Sequence, residues 1–294
     1  MLPWCPAWSP SPDRAAAALL LVLSLVLTGC GGGNSASSSQ HRSSGRSTTG
    51  TAAASAASAA SLPQPSKRCG APNAPATTLR FSAEDGTTLD GAIVGSGPVG
   101  VVLLHEYPGP MCGWWPYAVY LAHHGIHAIL FDFRCLGLSA CPRQSEGDEV
   151  ADVAGAIAAL RARGARSIAL VGASLGGVTA VMAAAKLHPS AVVDLSGERN
   201  LGQLFPGTTF DSYAAAPGVR APAMFVVARG DPQVSVADMR SVYRRARSPV
   251  KALVVLPASE GHGWEMLPRV GGSGWSPLAG QVLRFVRRHE QPVS

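Results

Sequence analysis

Six short apolar runs dominate the stretch from residue 99 to residue 257, and helical segments separate most of them. They read "VGVVLLH", "HAILFDF", "SIALVGA", "SAVVDLS", "APAMFVVA" and "VKALVVLP". Each is continuously apolar rather than alternating, the pattern of a strand buried on both faces. Strands that alternate with helices imply an α/β fold: a mostly parallel central sheet covered by helices on both faces. Upstream, "TTLRFSA" and "TTLDGAIVG" flank the turn signal "EDG" and predict an antiparallel pair. In "GDEVADVAGAIAALRARG", Val150, Val153, Ala154, Ile157 and Leu160 fall on one stripe at helical spacing. Asp148 and Glu149 at its start and arginines at its end suit the helix dipole. The segment 196–221 is too short for a large cap domain.

Hydrophobic residues make up 47% of the chain and charged residues 14%, enough apolar material for a sizeable core. The net charge of +6 does not imply a nucleic-acid partner, because the basic residues are scattered. Their one cluster, Arg240, Arg244, Arg245 and Arg247, has no interleaved aromatics.

On sheets of this kind, ligands gather at the carboxyl ends of the strands. Three candidate groups lie at such ends. "GASLG", residues 172–176, places Ser174 where an apolar strand passes into an Ala-rich helix, in the pattern G-x-S-x-G. Small neighbours permit a tight turn that lifts the side chain, and the helix N-terminus favours negative charge there. A serine hydroxyl needs a base to become a nucleophile. Asp231 follows the strand "APAMFVVA", and His262 follows the next strand, "VKALVVLP". In this arrangement Asp231 orients the imidazole, and His262 acts as base toward Ser174 and then as acid toward the leaving group. An oxyanion requires two N–H donors. The main chain of Leu175, next to the serine, supplies one; that of Tyr107, in the loop "HEYPG" after an early strand, supplies the other. Glu106 in that loop is a candidate for tuning the site, and Trp114 and Trp115 are candidates for an apolar substrate pocket. His105 reads as loop scaffold, and His123 and His124 as solvated residues near a helix end. None of the histidines has metal-site spacing, so neither metal nor cofactor is expected.

From about residue 79 to residue 289 the chain resembles the α/β-hydrolase superfamily, whose order is serine, acid, histidine. "HEYPG" beside "GASLGG" is similar to the dienelactone hydrolase branch, where a loop of the type H/Q-E-x-x-G directs its glutamate into the site. That branch uses a cysteine nucleophile, whereas this chain has Ser174, which turns the expectation toward ordinary ester or acyl chemistry. "FDFRCLGLS" resembles the superfamily segment D-x-R-G-x-G-x-S, with Cys135 in place of a glycine, and this implies a structural partner for Cys135.

The N-terminus has a different logic. "AAAALLLVLSLVL" is apolar but short for a bilayer span, which needs roughly 20 residues. It runs into "LTGC", which resembles the lipobox of bacterial lipoproteins. The resemblance implies a signal peptide over 1–29, lipidation of Cys30 and an extracytoplasmic protein anchored to the bacterial membrane. Residues 30–75, rich in Ser, Ala and Gly, read as a flexible tether, and 76–294 as the hydrolase-like domain. Cys69, Cys112, Cys135 and Cys141 give an even number in an exported domain, so disulfides are expected; Cys135 and Cys141 are close enough in the chain to close a small loop.

The expectation is therefore a membrane-anchored serine hydrolase that cleaves a small-molecule carboxylic ester or related acyl bond through an acyl-enzyme. Peptidase, thioesterase or acyltransferase chemistry with the same three residues is the alternative, as is a non-catalytic cell-surface binding protein on the same scaffold.

Overall fold

The computed structural model describes residues 65–70, 76–142, 148–202, 204 and 209–290. The signal-like segment, "LTGC" with Cys30 and most of the tether lie outside the described residues. Eight strands form one sheet: β1 (Ala76–Ser82), β2 (Thr88–Val94), β3 (Val99–Leu104), β4 (His127–Phe131), β5 (Ser167–Ala173), β6 (Ala191–Leu195), β7 (Ala223–Ala228) and β8 (Lys251–Leu256). Their order is β1-β2-β4-β3-β5-β6-β7-β8. β1 and β2 form the expected antiparallel pair, β2 joins β4 antiparallel, and all later pairings are parallel.

The helices are α1 (Pro65–Arg68), α2 (Trp115–His123), α3 (Glu149–Arg161), α4 (Leu175–Leu187), α5 (Ser212–Ala215), α6 (Val236–Arg245) and α7 (Pro277–Arg288). Side chains alternate across each strand, so every central strand feeds two cores. Val102, Leu104, Ile168 and Leu170 point toward α3, α4 and α6; Val101, Leu103, Ala169 and Val171 point toward α2 and α7. α4 is buried along Leu175–Ala184, as befits an Ala-rich helix lying against the middle of the sheet. Between β6 and β7 the regular elements among the described residues are α5 and a 3-10 turn at Ala216–Gly218, so the described residues form no large cap over the strand ends.

Two features lie outside simple periodicity. Arg134, 3% exposed, donates Nε and Nη2 to Oδ1 of Asp152 at 2.9 and 2.7 Å, and its N–H donates to Oδ2 at 2.9 Å. Asp152 lies on the inner face of α3 and is fully buried, so this pair fastens the loop after β4 to that helix. Two disulfides add covalent ties, Cys135–Cys141 and Cys69–Cys112. Cys135 has φ 64, a left-handed conformation that explains why a glycine suits this position. Arg68 and Cys69, in the stretch read as tether, are joined to the domain. Arg68 pairs with Asp90 at 2.6 Å and Asp132 at 3.0 Å, and Cys69 is bonded to the 3-10 turn Met111–Trp114.

Removing one member of a buried ion pair leaves an uncompensated charge, at a cost of about 3–5 kcal/mol. Asp152→Ala is expected to lose stability of that order in chemical denaturation, whereas Asp85→Ala, which removes the more exposed partner of Arg134, loses less than about 1 kcal/mol.

Candidate active site

The site is assembled where β5 turns into α4. Ser174 has φ 52 and ψ −119, a conformation that a non-glycine residue adopts only when its surroundings enforce it. The enforcement is visible at the glycines. A Cβ on Gly172 would come closer than 3.0 Å to the Gly176 carbonyl, and one on Gly176 would do the same to the Leu104 carbonyl. A Cβ on Gly177 would strike the Asp194 carboxylate. The G-x-S-x-G-G spacing therefore lets α4 press its first turn against the ends of β3 and β6. The Ser174 N–H bonds the Leu195 carbonyl at 2.9 Å, which ties the bend to β6.

Asp231 and His262 are brought together from the loops after β7 and β8. Nδ1 of His262 lies 2.9 and 3.0 Å from the two Asp231 oxygens. Asp231 also accepts the N–H groups of Gln233 and Val234, both at 2.9 Å. Burial opposes its ionisation, but the His262 bond, the Ser196 hydroxyl and these N–H donors outweigh burial and hold the carboxyl below its ordinary range. His262 is 6% exposed. Burial disfavours its imidazolium, yet the bond and charge of Asp231, with the charges of Glu106 and Glu198, shift its pKa upward. With Nδ1 committed to Asp231, Nε2 on the opposite edge of the ring is buried and unpartnered.

Ser174 does not bond to that nitrogen. Its Oγ donates instead to Oε1 of Glu198 at 3.3 Å. Glu198 was not singled out from the sequence, and its neighbourhood explains why. It follows β6 through Ser196, which has φ 56, and that irregular turn brings the carboxylate back over the elbow. The signal that was available is the position itself: Glu198 lies just after a central strand, where functional groups collect.

Glu106 does reach the site. Its Oε1 accepts the Trp264 N–H at 2.8 Å, which joins the "HEYPG" loop to the loop bearing His262. Gly263, with φ 54, is required there because a Cβ would collide with that same oxygen. Burial pushes the Glu106 carboxyl up to about 7. His105 is fully buried and acts as scaffold: Nδ1 lies 2.7 Å from the Glu106 carbonyl, and Nε2 accepts the Phe133 N–H at 3.0 Å. These partners fix a neutral ring protonated on Nδ1.

Leu175 opens α4, so its N–H has no intrahelical acceptor. The contact of Gly176 with the Leu104 and His105 carbonyls sets this end of α4 against the loop that carries Tyr107. The Tyr107 ring is exposed, and its peptide to Pro108 is cis. Trp114 and Trp115 do not form a pocket wall: they are 0% and 3% exposed and pack in the layer with α2 and α7. The aromatic ring beside the site is Trp264, edge-on to Trp114 at 5.8 Å between centroids. Among the described residues, no group of three or more His, Cys, Asp or Glu side chains is arranged to hold a metal ion.

A serine on a tight strand–helix bend, with a carboxylate–imidazole pair at the ends of two later parallel strands, is the site plan of an α/β-hydrolase. The sequence agrees: residues 101–271 match the profile of the alpha/beta hydrolase family, and the chain belongs to it. No functionally curated protein matches the chain by sequence. Among solved structures it is similar to an esterase of Pyrococcus furiosus, at 20% identity and TM-score 0.62, covering 77% of this chain and 96% of that one. It is also similar to an α/β serine hydrolase without a lid from Xanthomonas campestris, at 21% identity and TM-score 0.55, covering 74% and 97%. A thermophilic esterase from Thermogutta terrifontis superposes with TM-score 0.57 at 16% identity, covering 73% and 100%. These likenesses are of fold.

The electrostatics give a measurable consequence. NMR titration of His262 is expected to show a midpoint above the ordinary imidazole value. Asp231→Asn lowers that midpoint most, and Glu106→Gln lowers it by less, because each removes negative charge that favours the imidazolium. An unchanged midpoint in Asp231→Asn contradicts the assigned contact.

Proposed function

We propose that the protein is a serine hydrolase that cleaves a carboxylic ester through an acyl-enzyme. The observation that carries this reading is the buried, unpartnered Nε2 of His262, whose opposite nitrogen is fixed by Asp231. A base so oriented has one free position, and the bend presents a hydroxyl for it. For reaction, the Ser174 hydroxyl turns from Glu198 to Nε2. Its Oγ then attacks the ester carbonyl carbon while the proton passes to His262. The carbonyl oxygen becomes an oxyanion, held by the N–H groups of Leu175 and Tyr107. Collapse breaks the C–O bond to the alcohol, which leaves with the proton from His262. Water, deprotonated by His262, attacks the acyl carbon and releases the acid and free Ser174.

The esterases and the lidless serine hydrolase among the structural neighbours support the ester reading, as does the absence of a large cap among the described residues. Glu106, reaching from "HEYPG" into the site, supports placement near the dienelactone hydrolase branch, with serine in place of that branch's cysteine. We also propose that Cys30 carries a lipid after removal of residues 1–29, that the following tether ends before Arg68 and Cys69, which are fastened to the domain, and that the domain works outside the cytoplasm on a bacterial membrane. The two disulfides suit an oxidising compartment.

Two measurements test these readings. The purified domain is expected to hydrolyse para-nitrophenyl butyrate, and Ser174→Ala and His262→Ala each to lose at least about a thousandfold in kcat/KM with an unchanged fold. Full activity in Ser174→Ala refutes the mechanism. In bacterial cells, alkyne-palmitate labelling is expected for the full chain and lost in Cys30→Ser; equal labelling of both refutes the anchor.

A further inference from the structure

The loop that carries Tyr107 is held from outside the sheet. Between β3 and α2 the one regular element among the described residues is the 3-10 turn Met111–Trp114. Its Cys112 is bonded to Cys69, which ends a short strap that precedes β1. The strap is fixed to the sheet: Arg68 pairs with Asp90 on β2 at 2.6 Å and with Asp132, just after β4, at 3.0 Å. Asp132 is fully buried and also accepts the Met111 N–H at 2.9 Å. Adjacent residues of the strap therefore have separate tasks. Arg68 grips the sheet, and Cys69 extends that grip to the turn through a covalent bond.

The turn so held touches both halves of the site. Gly113, next to Cys112, lies against the Trp264 indole so closely that a Cβ there would overlap the ring, and one on Gly109 would come within 3.3 Å of it. Trp264 follows His262 by two residues, and its N–H is held by Oε1 of Glu106, the neighbour of Tyr107. The contact between turn and indole thus joins the oxyanion loop on one side to the imidazole loop on the other. The second disulfide has no such place. Cys135 and Cys141 are six residues apart, and their loop is already closed by the Cys135 N–H on the Ala140 carbonyl at 3.1 Å. The Ala140 N–H fastens it further to the Thr88 carbonyl at 2.9 Å.

We infer that Cys69 and Cys112 are positioning residues for the hydrolysis proposed above, on which the inference rests, and that activity depends on the bond between them. Oxidised, the pair keeps the turn against Trp264, and with it the Tyr107 N–H and His262 in their mutual geometry. Reduction by a dithiol breaks the S–S bond with two electrons and two protons, leaves two thiols, and closes the reagent to a cyclic disulfide. The turn then loses its covalent tie to the strap. Both cysteines are only half-buried, so a small reductant reaches them. The chain is therefore fully active only where disulfides persist.

The test uses the full chain in detergent, para-nitrophenyl butyrate as substrate, and circular dichroism to confirm the fold. Cys69→Ser/Cys112→Ser is expected to lose about tenfold or more in kcat with KM within about twofold, because an oxyanion donor acts on the transition state. Cys135→Ser/Cys141→Ser stays within about threefold of the unaltered chain. Dithiothreitol then brings the first loss to this second protein, and reoxidation restores it. Gly113→Ala keeps the disulfide but displaces the turn from the indole, so it gives a loss of similar size and tests the inference even where the cysteine variants do not fold. Unchanged kcat in folded Cys69→Ser/Cys112→Ser or in Gly113→Ala overturns the inference, as do equal losses from the two cysteine pairs.

The NMR titration of His262 reads the same coupling without turnover. With Glu106 no longer held beside the imidazole, the midpoint in Cys69→Ser/Cys112→Ser is expected to fall toward that of Glu106→Gln, whereas a loss of stability alone leaves it in place. A lowered midpoint in a protein that hydrolyses no ester sustains the clamp and refutes the hydrolase reading. Turnover that ignores the disulfide, with an unchanged midpoint, does the reverse.

Discussion

The site depends on one backbone constraint, the left-handed conformation of Ser174 between a strand and a helix. A residue of this kind is costly unless the surrounding structure leaves no other choice. Here the choice is removed by three glycines whose missing side chains allow backbone and carboxylate atoms of β3, α4 and β6 to meet. The same close approach sets the first turn of α4 beside the "HEYPG" loop and places the serine at the ends of the parallel strands. The carboxylate–imidazole pair arrives independently, from loops after the last two strands, and needs only the sheet order to reach the same edge.

Around that bend the charges are arranged to favour a protonated imidazole. Asp231 is stabilised as an anion by four donors, and Glu106 and Glu198 extend the negative field across the site. In the mechanism we propose, this arrangement stabilises the imidazolium formed during attack; in the protein itself it shifts the His262 pKa upward. The Ser174 hydroxyl is bonded to Glu198 and not to Nε2 of His262.

Much of this was legible in the sequence, and the limits have physical causes. The strands were legible because parallel strands buried on both faces are apolar without interruption. The elbow was legible because close backbone approach demands glycine at set spacings. The positions of Asp231 and His262 after β7 and β8 followed from the apolar strands that precede them, together with the serine–acid–histidine order of the superfamily the chain resembles. Glu198 was not legible, since a single left-handed residue, Ser196, decides where it points, and no short pattern encodes that. The burial of Asp152 was hidden because its partner, Arg134, comes from a loop after β4. Trp114 and Trp115 follow the right loop for a pocket, but α2 turns both into the core. The pairing of Cys69 with Cys112 joins positions 43 residues apart, a distance over which sequence carries no register.

The central claim is that Ser174 attacks and His262 accepts its proton, with the oxyanion held by Leu175 and Tyr107. A crystal structure of the protein treated with a fluorophosphonate tests it directly. The account predicts phosphorus bonded to Oγ of Ser174, the phosphoryl oxygen about 2.7–3.1 Å from both main-chain nitrogens, and the hydroxyl no longer on Glu198. Phosphorus on another residue, or an unmodified Ser174 still bonded to Glu198 under excess reagent, would contradict it.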